Sequence, residues 1–252
     1  MCNNYPRVNY DNLQLLEVVN HESFCKEFNR MPIAKKNTYL TSLTTVLSKT
    51  WPDNRTVNLV FHGHSVPCGY FGFHVVNTFD AYPHLVHVKL KERFPMAVIN
   101  TIRTGVGGEN SESGAARFER DVLCHKPDLI AIDYALNDIS LGLEKTNTAW
   151  CSMVEAALSR DIKVILLTPS GRLPNVSGND LADQLRQHAE KIRRIADTYN
   201  VGLADSFAAF ETYCRDEGEL SDLLSWVNHP NRKGHEIIAR EILRNFTVPT
   251  PE

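Results

Sequence analysis

Charge of one sign is missing from this 252-residue chain: 27 Lys and Arg stand against 30 Asp and Glu, a formal net charge of −3. That balance supplies no basic field for a nucleic acid, so nucleic acid is excluded as an expected partner. Long apolar runs are missing as well, and no stretch reaches membrane-spanning length. The N-terminus, MCNNYPRVNYDNLQLLEVV, lacks the basic start, continuous apolar core and small-residue cleavage site of a signal peptide. Cysteines are few and scattered, at 2, 25, 68, 124, 151 and 214, without metal-ligand spacing or the density of a stapled domain. A cytoplasmic protein with reduced thiols is therefore expected, although trimming of a leader would leave the same sequence. Repeats and low-complexity tracts are absent too. A residue composition of 42% hydrophobic and 23% charged is that of a soluble globular protein, and the length suits one large α/β domain.

Strand-like and helix-like stretches alternate along the chain. Residues 1–55 read as an N-terminal helical extension with helices at Asp11–Phe28 and Tyr39–Ser48, packing on a main domain at 56–252. Apolar strands are expected near Val57–Phe61, Ala97–Ile102, Leu129–Asp133, Lys163–Thr168 and Val201–Ala204. Helices are expected at Tyr82–Arg93, Glu112–Leu123, Thr148–Ser159, Asn179–Tyr199, Ser206–Arg215 and Asn231–Arg244. Parallel strands need crossovers, so this alternation predicts an α/β fold with helices on both faces of a parallel sheet of about five strands.

Ligands bind such sheets outside the carboxyl ends of the strands. Special residues collect there: Gly63 and Ser65 after the first strand, Gly107 and Gly108 after the second, Asn137 and Asp138 after the third. A late loop carries Asn228-His229-Pro230-Asn231. Acyl transfer from an ester needs a nucleophile, a base beside it, and donors for the oxygen that becomes negative. Ser65 supplies a hydroxyl, His229 an imidazole, and the amides of Ser65, Gly108 and the Asn137 side chain three donors. Each has a plainer reading: Ser65 as a helix cap, Asn137-Asp138 as a turn, His229 as a helix-entry residue. The glycine pair lacks the lysine of a P-loop and the spacing of a dinucleotide fingerprint.

The stretches GHSVPCGYF (63–71), GVGGENS (105–111), YALND (134–138) and NHPNRKGH (228–235) together resemble, in order and spacing, the blocks of the SGNH hydrolase superfamily, the GDSL-type esterases and lipases. The resemblance covers about residues 57–245. It implies a flavodoxin-like three-layer αβα sandwich, with Ser65 as nucleophile, Gly108 and Asn137 as oxyanion donors and His229 as general base, and it implies no cofactor or metal. Two positions depart from the pattern. Histidine stands at 64 where the serine block usually has aspartate, and Trp226 occupies the place of the acid three residues before the histidine. That acid orients the imidazole and stabilises its charged form. Asp222 is a candidate replacement; otherwise a backbone carbonyl holds the ring and a Ser-His dyad results.

The expected function is a serine ester hydrolase acting on short acyl or sugar O-acetyl esters, with a small-molecule or carbohydrate ester as partner. An acyltransferase on the same fold and a catalytically silent carbohydrate-binding or scaffold protein are the alternatives; a homo-oligomer is left open. His62 with His64, and His84 with His87, are spaced to share a face but lack the carboxylates or cysteines of a metal site. Cys68 reads as a small packed residue rather than a nucleophile. Asp138 and Asp205 read as loop anchors, and the aromatic stretch 66–83 as a lid or pocket wall.

Overall fold

The fold is that of a computed structural model, in which residues 34–72, 75–174 and 181–247 are described. Five strands, β1 (Thr56–Gly63), β2 (Val98–Arg103), β3 (Leu129–Asp133), β4 (Lys163–Leu167) and β5 (Gly202–Ala204), form one parallel sheet in the order β2-β1-β3-β4-β5. β1 pairs with β2 on one side and with β3 on the other, in a register that sets Gly63 beside Asp133. α1 (Thr41–Leu47) precedes the sheet; the crossovers carry α2 (Ser65–Cys68), α3 (Tyr82–Arg93), α4 (Ser111–Ala116), α5 (Phe118–Asp121), α6 (Leu143–Leu158) and α7 (Ala182–Tyr199); and α8 (Ser206–Asp216) and α9 (Arg232–Leu243) follow β5. This is the expected α/β fold.

The period-2 alternation of the strands sorts their side chains into two cores. Leu59, Phe61, Leu129, Ala131, Ile165 and Leu167 pack on one face, with Val86 and Leu90 of α3 and Ile238 and Ile242 of α9. Val60, Ile130, Ile132, Val164 and Leu166 pack on the other, with Trp150 and Met153 of α6 and Ile192 and Ile195 of α7. Each fully buried side chain of this size contributes roughly 1.5–3 kcal/mol. Strands apolar on both faces are what two helical layers require.

Several boundaries moved. Leu40, Leu43 and Leu47 belong to the first core, and the Tyr39 hydroxyl accepts the Val164 N–H at 2.9 Å. Packing with the sheet thus reaches back well before residue 55, where the domain was expected to begin. The helix expected at Asp11–Phe28 lies outside the described residues. The one expected at Glu112–Leu123 is broken at Arg117, whose φ of −108° and ψ of 5° leave the helical range. α6 starts at Leu143 rather than Thr148, launched by Gly142 at φ 85°; its polar first turn hid it from a reading based on apolar periodicity. Asn179, the expected cap of α7, is outside the described residues, and that helix opens at Ala182 after Leu181. Among the described residues no helix is long and apolar enough to cross a membrane.

Candidate active site

The chain runs from β1 outward to β2, then returns to place β3 on the other flank of β1. This opens a crevice at the carboxyl ends of β1 and β3. Ser65 follows β1 directly. A Cβ on Gly63 would overlap the Asp133 carbonyl oxygen and lie 2.9 Å from Pro67 Cγ, so only glycine lets β1 turn this closely against β3. Gly69, at φ 86°, ends the four-residue helix α2. His64 caps α2: the Val66 N–H donates to its Nδ1 at 3.2 Å. The ring proton is then left to Nε2, which faces Asp133 Oδ1 at 3.5 Å. Tyr82 donates its hydroxyl to the other oxygen of that buried carboxylate at 3.1 Å.

His229 reaches Ser65 from the far end of the chain, with Nε2 2.9 Å from Ser65 Oγ. Its loop is pinched by an antiparallel bridge between Leu224 and Pro230, and by Ser225 N–H donating to the His229 carbonyl at 2.8 Å. Asn231 closes it by accepting the Gly234 N–H and capping α9. The Tyr70 ring stacks on the imidazole at 6.5 Å between centroids, which makes the aromatic loop a wall of the site. Burial, followed by the neighbouring His64, holds the His229 pKa below its ordinary value.

Asp222 is not brought to His229. Its carboxylate accepts the Glu219 N–H at 2.9 Å and the Tyr213 hydroxyl at 3.2 Å. A backbone carbonyl does not hold the ring either, since His229 Nδ1 is buried without a hydrogen-bond partner among the described residues. Trp226 sits half out of the surface. Gly108, at φ 78°, has open space where a Cβ would be, and Asn137 donates one side-chain N–H to the Glu109 carbonyl at 2.9 Å. Ser65 and His229 are thus brought into contact, Asn137 is tied to the glycine loop through Glu109, and Asp222 is bonded elsewhere.

Asp138 anchors its loop as expected, accepting the Ser111 N–H at 2.8 Å and the Trp150 indole N–H at 2.7 Å. Asp205 does the same with Thr168, Arg193 and the Ala208 N–H. Cys68 packs against the glycine loop, and burial pushes its thiol pKa up, which fits a packed residue. Among the described residues no group of three His, Cys, Asp or Glu side chains is arranged to hold a metal. Sequence reasoning gave no role of their own to Asp133, Glu109, Arg117 and Tyr134, although Glu109 and Tyr134 lie in the glycine and asparagine blocks. The one available signal was an apolar strand ending in a charge, Asp133.

Two buried histidines weaken the fold as pH falls. His62 lies among Thr104, Tyr134 and the Gly114 carbonyl, and burial, with the nearby Arg117 charge, lowers its pKa to about 4. His235 accepts the Tyr82 N–H, stacks on Phe71, and is lowered by burial to about 3. In the unfolded chain both revert to about 6.5 and bind protons first as pH falls, so their contribution is complete above that value and drains away toward about 4 for His62 and about 3 for His235. Unfolding free energy should drop by roughly 3–4 kcal/mol between pH 7 and pH 5 through these two groups. Urea titrations at the two pH values check this, and equal midpoints would contradict it.

A model of the GDSL-like lipase/acylhydrolase family matches residues 61–237. An acetylxylan esterase of Geobacillus stearothermophilus is 27% identical over 173 residues, covering 62% of this chain and 76% of that one. Its crystal structure superposes with a TM-score of 0.65 at 25% identity, over 75% of this chain and 94% of that one. An alpha/beta hydrolase enzyme from the metagenome of Lake Arreo, Spain, shares the fold with a TM-score of 0.63 at 24% identity, covering 77% and 97% of the two chains. Other structures of the Geobacillus esterase are of catalytic mutants in which a serine, an aspartate or a histidine is replaced by alanine.

Proposed function

The chain belongs to the GDSL-like lipase/acylhydrolase family and is a carboxylic ester hydrolase, and from that premise we propose that it acts through an acyl-enzyme on Ser65, with sugar O-acetyl esters or similar short acyl esters as substrates. One observation carries the reading: the 2.9 Å approach of His229 Nε2 to Ser65 Oγ at the sheet's switch point. The Ser65 proton passes to His229 Nε2 as Oγ bonds to the acyl carbon. The carbonyl electrons move onto oxygen, where the N–H groups of Ser65 and Gly108 and the free N–H of Asn137 meet the charge. Collapse breaks the bond to the alcohol, which leaves with the proton from His229. Water, deprotonated by the same nitrogen, then releases the acid and restores Ser65.

The base works as a dyad, because no carboxylate stands behind Nδ1 among the described residues. The kinship with an acetylxylan esterase supports small acyl groups on a carbohydrate. Exposed Tyr70, Val106 and Trp226, on the loops that carry the site, offer apolar faces on which a sugar ring can rest. Intact-mass spectrometry after treatment with a fluorophosphonate tests the mechanism. One adduct is expected, mapping to the peptide that contains Ser65 and lost in Ser65→Ala; no adduct on the folded wild type would overturn it.

A further inference from the structure

We propose that Arg117 and Glu109 are positioning residues that hold the oxyanion donors in register, an inference that rests on the reading of Gly108 and Asn137 as those donors. The loop from Thr104 to Glu109 contains Gly105, Gly107 and Gly108, and so carries little stiffness of its own. Its first half is wedged against the serine turn: Val106 N–H donates to the Gly63 carbonyl at 3.0 Å, and a Cβ on Gly105 would come within 2.7 Å of the His64 carbonyl oxygen. Gly107 and Gly108 lie in a turn closed by the Glu109 N–H on the Val106 carbonyl at 3.2 Å; the Tyr70 ring lies 3.3 Å from where a Cβ of Gly107 would be, and Gly108 borders open space. That turn ends on Glu109, whose side chain ties it to the rest of the fold.

Arg117 grips both ends of this loop with one planar group. Its Nη2 donates to the Thr104 carbonyl at 2.6 Å, and its Nε to Glu109 Oε1 at 2.8 Å, with Nη2 also on Oε2. Tyr134 donates its hydroxyl to Glu109 Oε2 at 2.7 Å, tying the carboxylate to the segment after β3. From there the Glu109 carbonyl accepts the Asn137 side chain. One residue therefore follows one donor in the chain and orients the other in space.

The pair is enclosed, at 12% and 8% side-chain exposure. Enclosing two charges is an expensive way to gain stability, and apolar replacements of similar volume often hold a fold as well. A guanidinium fork on a carboxylate offers instead a fixed direction at two points. Direction is what an oxyanion hole demands, since donors are effective only near hydrogen-bond distance of the charged oxygen.

The test uses the full chain with p-nitrophenyl acetate and a fluorophosphonate as probes, comparing wild type, Arg117→Ala, and the charge-free pair Glu109→Gln with Arg117→Met. In the double variant we expect wild-type circular dichroism, kcat lower by about 30–100-fold and KM within about threefold, because the loss falls on the transition state. Phosphonylation should slow in parallel. Millimolar guanidinium should restore turnover to Arg117→Ala, where Glu109 can bind it, and not to the double variant. A folded double variant with kcat within about threefold of wild type would overturn the inference, and so would activity that tracks only the folded fraction in each variant. A wild type silent toward both probes gives a different result: it removes the acyl-enzyme reading itself, and this inference with it.

Discussion

Ser65→Ala should lower kcat by about 10⁴-fold or more while leaving the melting temperature within a few degrees of wild type. The two expectations have separate causes. The hydroxyl is the only group removed; its closest partner is His229 Nε2 at 2.9 Å, with His64 Nδ1 at 3.4 Å. The turn around it is held by other atoms: the Val66 N–H on His64, the close packing of Gly63 under Asp133, and Gly69 at the end of α2. Ser65 is buried, but alanine fills nearly the same volume and leaves no charge unpaired. Residual turnover from binding and the oxyanion donors alone is expected, as it is for other serine hydrolases. Steady-state kinetics beside a thermal melt decide the matter, and a folded variant within tenfold of wild-type kcat would remove Ser65 from the mechanism.

His229→Ala should cost about 10³-fold or more in kcat/KM, whereas Asp222→Asn should change it by less than about threefold. In a triad, loss of the acid is itself severe because the imidazole loses its orientation. Here Asp222 is occupied by Glu219 and Tyr213, so its removal should act on the turn before the site and not on the base. The pH profile should carry a matching signature. Burial and His64 hold the His229 pKa below the usual imidazole value, so the neutral base persists to lower pH and the acid limb of kcat/KM should lie below 6.5. A large loss in Asp222→Asn, or an acid limb above 7, would show that a carboxylate does support His229.

Ser65 and His229 could be found in the sequence because each lies at a boundary that local pattern marks. An apolar strand stops at Gly63, and a Pro-Asn cap follows His229. The strand ends could be placed for the same reason, and β3 falls on the expected residues. The groups around them were hidden. Arg117 meets Glu109 across a loop-to-helix corner eight residues long, and Tyr134 meets it across 25. No helical or strand period links such positions. The pairing of His64 with Asp133 depends on strand register, which sets Gly63 opposite Asp133 and is fixed by the sheet as a whole. Asp222 was a fair candidate by distance along the chain, but its Oδ2 is engaged by the Tyr213 hydroxyl and the Glu219 N–H, away from His229.

The pinched loop that presents His229 is secured by main-chain atoms. Ser225 N–H meets the His229 carbonyl, Leu173 N–H meets the Val227 carbonyl, and Asn231 N–H meets the Leu223 carbonyl. Nothing in those bonds depends on which side chain occupies position 226. The placement of His229 is thus written into backbone geometry rather than into the identity of the residue three places before it.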